Sequence, residues 1–131
     1  MTAKEYLEQI KTLDKCIEIK ADELSRLWSR ATSTTSAADK EPGGSSGISD
    51  KVGNTVAKII DKRIREELAR LKDERQKRID LIMTVQNPLH LTVLYKFYVN
   101  HISLVDIADE EGYSYDYIAE IRCKATKNLK I

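Results

Sequence analysis

The sequence predicts an all-α protein, and three observations carry that prediction. Charged residues make up 33% of the chain and hydrophobic residues 41%, the balance of long amphipathic helices. Only five Gly and two Pro are present among 131 residues, too few for the many tight turns of a β-sandwich or barrel. Apolar residues recur at steps of three and four over two long stretches, which is the period of one helix face.

The first helix is expected over residues 2–31. Thr2 and Glu5 stand at capping-box spacing, so the Thr hydroxyl can accept from the amide near Glu5. Its stripe is Tyr6, Ile10, Leu13, Ile17, Leu24, Leu27 and Ala31, interrupted by Lys20. At 1.5 Å per residue such a helix is about 45 Å long. Cys16 falls beside the stripe as a small hydrophobe. Trp28 is expected to pack at the far end of this helix or between two copies of the chain. Residues 32–50, TSTTSAADKEPGGSSGISD, hold almost nothing to bury and predict a flexible loop. No Gly-Lys-Ser/Thr follows its glycines, so it is not a phosphate-binding loop.

A second long helix is expected over residues 51–86, with the stripe Ile60, Ile64, Leu68, Leu71, Arg75, Ile79 and Ile82. This spacing favours a nearly straight pairing over a strict heptad coiled coil. Pro88 then stops the helix, because the residue before a proline disfavours the α region. Together residues 1–86 predict an antiparallel, coiled-coil-like helical hairpin, with each buried Leu or Ile contributing about 2 kcal/mol. One hairpin covers its core thinly, which predicts a homodimer. With Val52 opposite Ala31, the register places Arg75 near Glu8 as an ion pair. The alternative keeps the Arg75 stem at the stripe's edge and its head in water. Ten Lys and Arg lie between Lys51 and Arg78, a net-basic stretch most simply read as a solvated face.

Residues 87–131 predict a separate small domain. Leu89, Val93, Leu94, Phe97 and Tyr98 mark a short amphipathic helix after Pro88. Ser103 caps a second, over residues 104–110, with Asp106 in its first turn and Gly112 as a left-handed C-cap. Ser114 caps a third, running through Ile118, Ile121, Ala125 and Leu129. A small residue at Ala108, a turn glycine at Gly112 and a packing set of Ile107, Ile118 and Ile121 match a helix-turn-helix. The alternative is an ordinary three-helix domain with a glycine-capped turn. Tyr113, Tyr115 and Tyr117 bracket the turn; Tyr113 is expected to pack within the domain and Tyr117 on the flank of its helix.

The stretch ISLVDIADEEGYSYDYIAEIRCKATKNL resembles the fourth conserved region of bacterial sigma factors. The whole chain resembles small phage- and prophage-encoded proteins described as sigma-factor-like or as ArpU-type transcriptional regulators. MTAKEYLEQIKTLDK, ATSTTS, DKVGNTVAKIID and EEGYSYDYIAEI carry that likeness over nearly the full length. The resemblance implies a DNA-binding transcriptional regulator in the cytoplasm of a bacterial host cell. Promoter or operator DNA is its implied partner, with RNA polymerase a second.

By position, the last helix would present Ser114, Tyr115, Asp116, Ala119, Glu120 and Cys123 to the major groove, with Lys124 and Lys127 on the backbone. In some of these places the family more often carries basic or amide residues, whereas Asp116 and Glu120 would meet a polyanion. A carboxylate there repels phosphate unless it accepts from a cytosine amino group. The domain holds five basic and six acidic residues, net −1, whereas DNA-binding domains are usually basic. That balance supports the alternative, a module that binds polymerase or another protein without reading DNA. No aromatic-rich basic helix for promoter melting is present, so a stand-alone sigma factor is excluded.

The remaining expectations are negative. The net charge of +1 excludes a strongly basic nucleic-acid sponge and an acidic tail protein. No apolar run approaches the roughly 20 residues of a membrane span, and residues 1–10 lack a signal-peptide core. Cys16 and Cys123 fit neither a disulfide framework nor a metal motif. His90 and His101 have no partner at ligand spacing, and no carboxylate pair stands out for acid–base work. No catalytic residue, metal, cofactor, small-molecule substrate or membrane partner is therefore expected.

Overall fold

A computed structural model describes residues 1–39 and 46–131, with side chains for 1–30 and 55–131. It is all-helical, and no strand occurs among the described residues. The order is α1 (Ala3–Asp39), α2 (Ser46–Met83), α3 (Pro88–Leu94), α4 (Leu104–Glu111) and α5 (Tyr115–Asn128), with a π-helical turn (Tyr95–Val99) continuing α3. Residues 32–39 and 46–50, expected in the loop, are helical, because the backbone continues the flanking helices despite its polar composition. The glycine-rich centre at 40–45 and the side chains of Ala31 and Val52 lie outside the described residues. Among the described residues no helix is long and apolar enough to cross a membrane.

Two compact units are present, Met1–Lys15 with Lys72–Ile131, and Cys16–Leu71. The division falls inside the long helices. The reason is the core of the first unit. Leu7 and Ile10 of α1 and Ile79 and Ile82 of α2 bury in one cluster with Leu94, Tyr98, Val99 and Ala125. A second cluster holds Val93, Ile107, Ala108, Ile118 and Ile121, and Phe97 packs against both. The π turn adds one residue to the helix, closed by the Asn100 amide donating to the Tyr95 carbonyl at 3.1 Å. Val99 is thereby buried beside Tyr98.

Arg75 meets Asp14 at 2.5 Å, not Glu8 as the sequence register had it. The six-residue shift reflects a connection whose helical ends the composition concealed. Asp14 also bonds His101 Nε2 at 2.6 Å, so one carboxylate joins α1, α2 and the segment before α4. His101 has a positive φ of 57°, a conformation that costs a non-glycine residue about 1 kcal/mol or more. Among the described residues Arg78 is the one buried cation. It donates to the Tyr6 and Glu74 carbonyls, to Glu74 Oε2 and to Gln9 Oε1 (2.5 Å), and stacks 4.3 Å over the Tyr6 ring.

In the Cys16–Leu71 unit, Ala57, Ile64 and Leu68 are buried. Trp28 Nε1 donates to Asp61 at 2.8 Å, and Lys20 pairs with Glu67 at 2.6 Å. Lys20 interrupts the apolar stripe because its ammonium has that partner. The Trp28 bond, ahead of Arg65, holds the Asp61 carboxyl below its ordinary 3.8, and the Lys20 bond holds Glu67 below 4.5.

Arg78→Ala removes four hydrogen bonds and the contact with the Tyr6 ring and is expected to cost about 2–4 kcal/mol in urea unfolding. Arg78→Lys should recover only part of this, since an ammonium cannot serve the planar array. Depressed carboxyls contribute stability that is present above their unfolded values and lost as pH falls through the folded ones. Trp28 emission should therefore stay constant between about pH 7 and 5 and change below about pH 4. Asp61→Asn should diminish that acid transition; an identical acid limb in this variant would show that the pair plays no part.

Candidate functional site

The surface that the sequence singles out is α5 with the turn before it, and local chemistry places both. The Ser103 hydroxyl accepts from the Asp106 amide at 3.2 Å and starts α4. Gly112, at φ 76° and ψ 33°, ends it, and the amides of Gly112 and Tyr113 both donate to the Ala108 carbonyl. A Cβ added at Gly112 would meet nothing within 4 Å, so glycine is needed there for its left-handed backbone and not for space. Ser114 then accepts from the Tyr117 amide at 3.2 Å and starts α5. Ile118 and Ile121 turn inward against Ile107 and Ala108.

The opposite face of α5 is open. Asp116, Glu120, Cys123 and Lys127, at steps of four, three and four, form one exposed line, and Lys124 lies beside it. Glu120 and Lys124 form an exposed ion pair at 3.0 Å, so each tempers the other's field. Ser114 is occupied as an acceptor by its cap, while Tyr115 is 51% exposed. Ala119 is half-buried at the flank. The face thus runs from carboxylates at the start of α5 to ammonium groups at its end. Such a face can accept from amino donors at one end and hold phosphate oxygens at the other.

The expected packing of Tyr113 within the domain and of Tyr117 on the helix flank is not found. They remain 46% and 44% exposed and lie against each other with ring centroids 5.0 Å apart. Neither ring belongs to a buried cluster, and the two shield one another.

Sequence reasoning missed two cations. Lys96, in the π turn, pairs with both Glu110 and Glu111 at 2.8 Å and neutralises the acidic end of α4. Those carboxylates, Glu110 first, hold the Lys96 ammonium above its usual range. No linear signal joins residues so far apart in the chain. Arg122 lies half-buried, 5.3 Å over the Phe97 ring, and donates to Tyr98 Oη at 3.4 Å. Its position one turn after Ile118 was the available clue. Its Nε is buried without a partner, and no carboxylate pairs with it among the described residues.

Among the described residues, no group of three or more His, Cys, Asp or Glu is placed to hold a metal ion. Cys16 is half-buried and Cys123 exposed, both as free thiols. No family model, no curated protein and no solved structure matches this chain.

Gly112→Ala is expected to destabilise by about 1–2 kcal/mol through backbone strain alone. Gly112→Asn should cost less than the alanine, because Asn enters the left-handed region more readily. Chemical denaturation of both variants checks the order.

Proposed function

We propose that this chain is a DNA-binding transcriptional regulator of the phage sigma-like kind, a binding protein and not an enzyme, acting in the bacterial cytoplasm as a homodimer. In this reading α4, Gly112 and α5 form a helix-turn-helix, and α1 with α2 forms an antiparallel hairpin that carries dimerisation. The observation that carries the reading is the left-handed Gly112 between two serine-capped helices whose Ile107, Ala108, Ile118 and Ile121 pack together. The hairpin is supported by contacts in which α1 numbers rise as α2 numbers fall: Gln9 with Arg78 and Asp14 with Arg75 in one unit, Lys20 with Glu67 and Trp28 with Asp61 in the other.

Tyr115, Asp116 and Glu120 would then meet base edges, with Ser114, Lys124 and Lys127 on the phosphates. A dimer would be required for affinity, since two half-sites compensate for a mixed-charge recognition face. A second reading has its own support. Exposed Asp116, with Tyr113, Tyr115 and Tyr117 each more than two-fifths exposed, makes a surface of the kind that docks a protein such as RNA polymerase.

Fluorescence anisotropy against the DNA upstream of its own coding sequence separates the two. Direct reading predicts binding tighter than to random DNA at physiological salt, by about tenfold or more. Lys124→Glu should weaken that binding, and light scattering of the complex should give two chains per site. Equal affinity for both DNAs, unchanged by Lys124→Glu, would exclude direct reading; recovery of polymerase subunits in nuclease-treated pull-downs would then favour the protein partner.

A further inference from the structure

The net charge of +1 conceals an uneven distribution in the Cys16–Leu71 unit. Between residues 55 and 71, α2 carries Lys58, Lys62, Arg63, Arg65 and Arg70 against Asp61, Glu66 and Glu67. Two of the three carboxylates are drawn toward α1. Asp61 accepts from Trp28, and its side chain is only 17% exposed; Glu67 is held by Lys20. Glu66 alone among them is exposed and carries no ion pair. The cations stay outside. Lys58, Lys62, Arg63 and Arg70 are exposed and form no ion pair among the described residues, and Arg65, joined to Asp61, is still 64% exposed.

Lys58, Lys62 and Arg65 stand one and two turns apart on the same face, about 6 and 4.5 Å along the axis. That spacing is one to two steps of a nucleic-acid strand, whose phosphates advance about 3.4 Å each. The apolar side of α2 is occupied, with Ala57, Ile64 and Leu68 buried. A helix lying in a membrane surface needs that side free, so the geometry favours a polyanion that takes cations alone.

We propose that the outer face of α2, from Lys58 to Arg70, is a sequence-independent contact surface for the phosphate backbone of double-stranded DNA. The inference goes beyond the reading of bases by α5, since a chain that reads no sequence can still hold duplex along α2.

The test uses the full-length chain, a random-sequence duplex and a salt series. The variant K58Q/K62Q removes the two exposed charges of that face that make no ion pair, and K11Q/K15Q removes two comparable charges from α1 as a control. Circular dichroism verifies that both fold. The slope of log affinity against log salt should fall by about two in the α2 variant, near 0.9 per lost phosphate contact. The control should keep the slope of the unmodified chain. The proposal is overturned by an unchanged slope, by an equal loss in the control, or by an unmodified chain without salt-dependent duplex binding. It is equally overturned if the α2 variant loses only its binding to phosphatidylserine vesicles. Preference for upstream over random DNA is read separately, so a failure of α5 to read sequence leaves this result standing.

Discussion

Burial of one apolar cluster by the start of α1, the end of α2 and the C-terminal helices is the constraint on which the first unit depends. A helix such as α1 has one apolar side and cannot stand alone in water, since its stability comes from what that side packs against. Leu7 and Ile10 find partners in Ile79 and Ile82, and the four are completed by Leu94, Tyr98, Val99 and Ala125. The small C-terminal helices are therefore not an appendage to these helix ends. Each supplies the surface that the other must bury. Arg78 lies beside this core, where its guanidinium donates to two backbone carbonyls and to the Glu74 and Gln9 side chains and so ties α1 to α2.

Charge is organised by the same packing. Nearly equal numbers of acids and bases leave the chain close to neutral, yet folding sorts them. Asp14 serves Arg75 and His101, Lys96 serves two glutamates, and Asp61 and Glu67 are tied to α1. Among the exposed charges that result are a mixed-charge face on α5 and the lysines and arginines of α2. A partner meets those residual surfaces and not the composition, which is why the charge count argues weakly about function here.

The candidate site was legible in the sequence where its signals are local. Ser103, Ser114 and Gly112 act on amides and carbonyls within a few residues, so their roles can be read without knowing the rest of the chain. The inward set of Ile107, Ile118 and Ile121 follows from helical periodicity in the same way. Tyr113 and Tyr117 were misread because aromatic character predicts burial only when the core has room. Lys96 and Arg122 were missed because their partners come from other helices or from a π turn that periodicity does not announce.

By itself, then, the amino-acid sequence determined the helical class, the caps, the turn glycine and the inward faces, all set by interactions across three or four residues. Tertiary structure alone decided the register that joins Arg75 to Asp14, the burial of Arg78, the division into units inside the long helices and the outward sorting of the α2 cations. A helix face offers the same apolar stripe at every turn, so sliding by one or two turns changes little locally. Only simultaneous packing of all the helices selects one register, and with it the charges left for a partner.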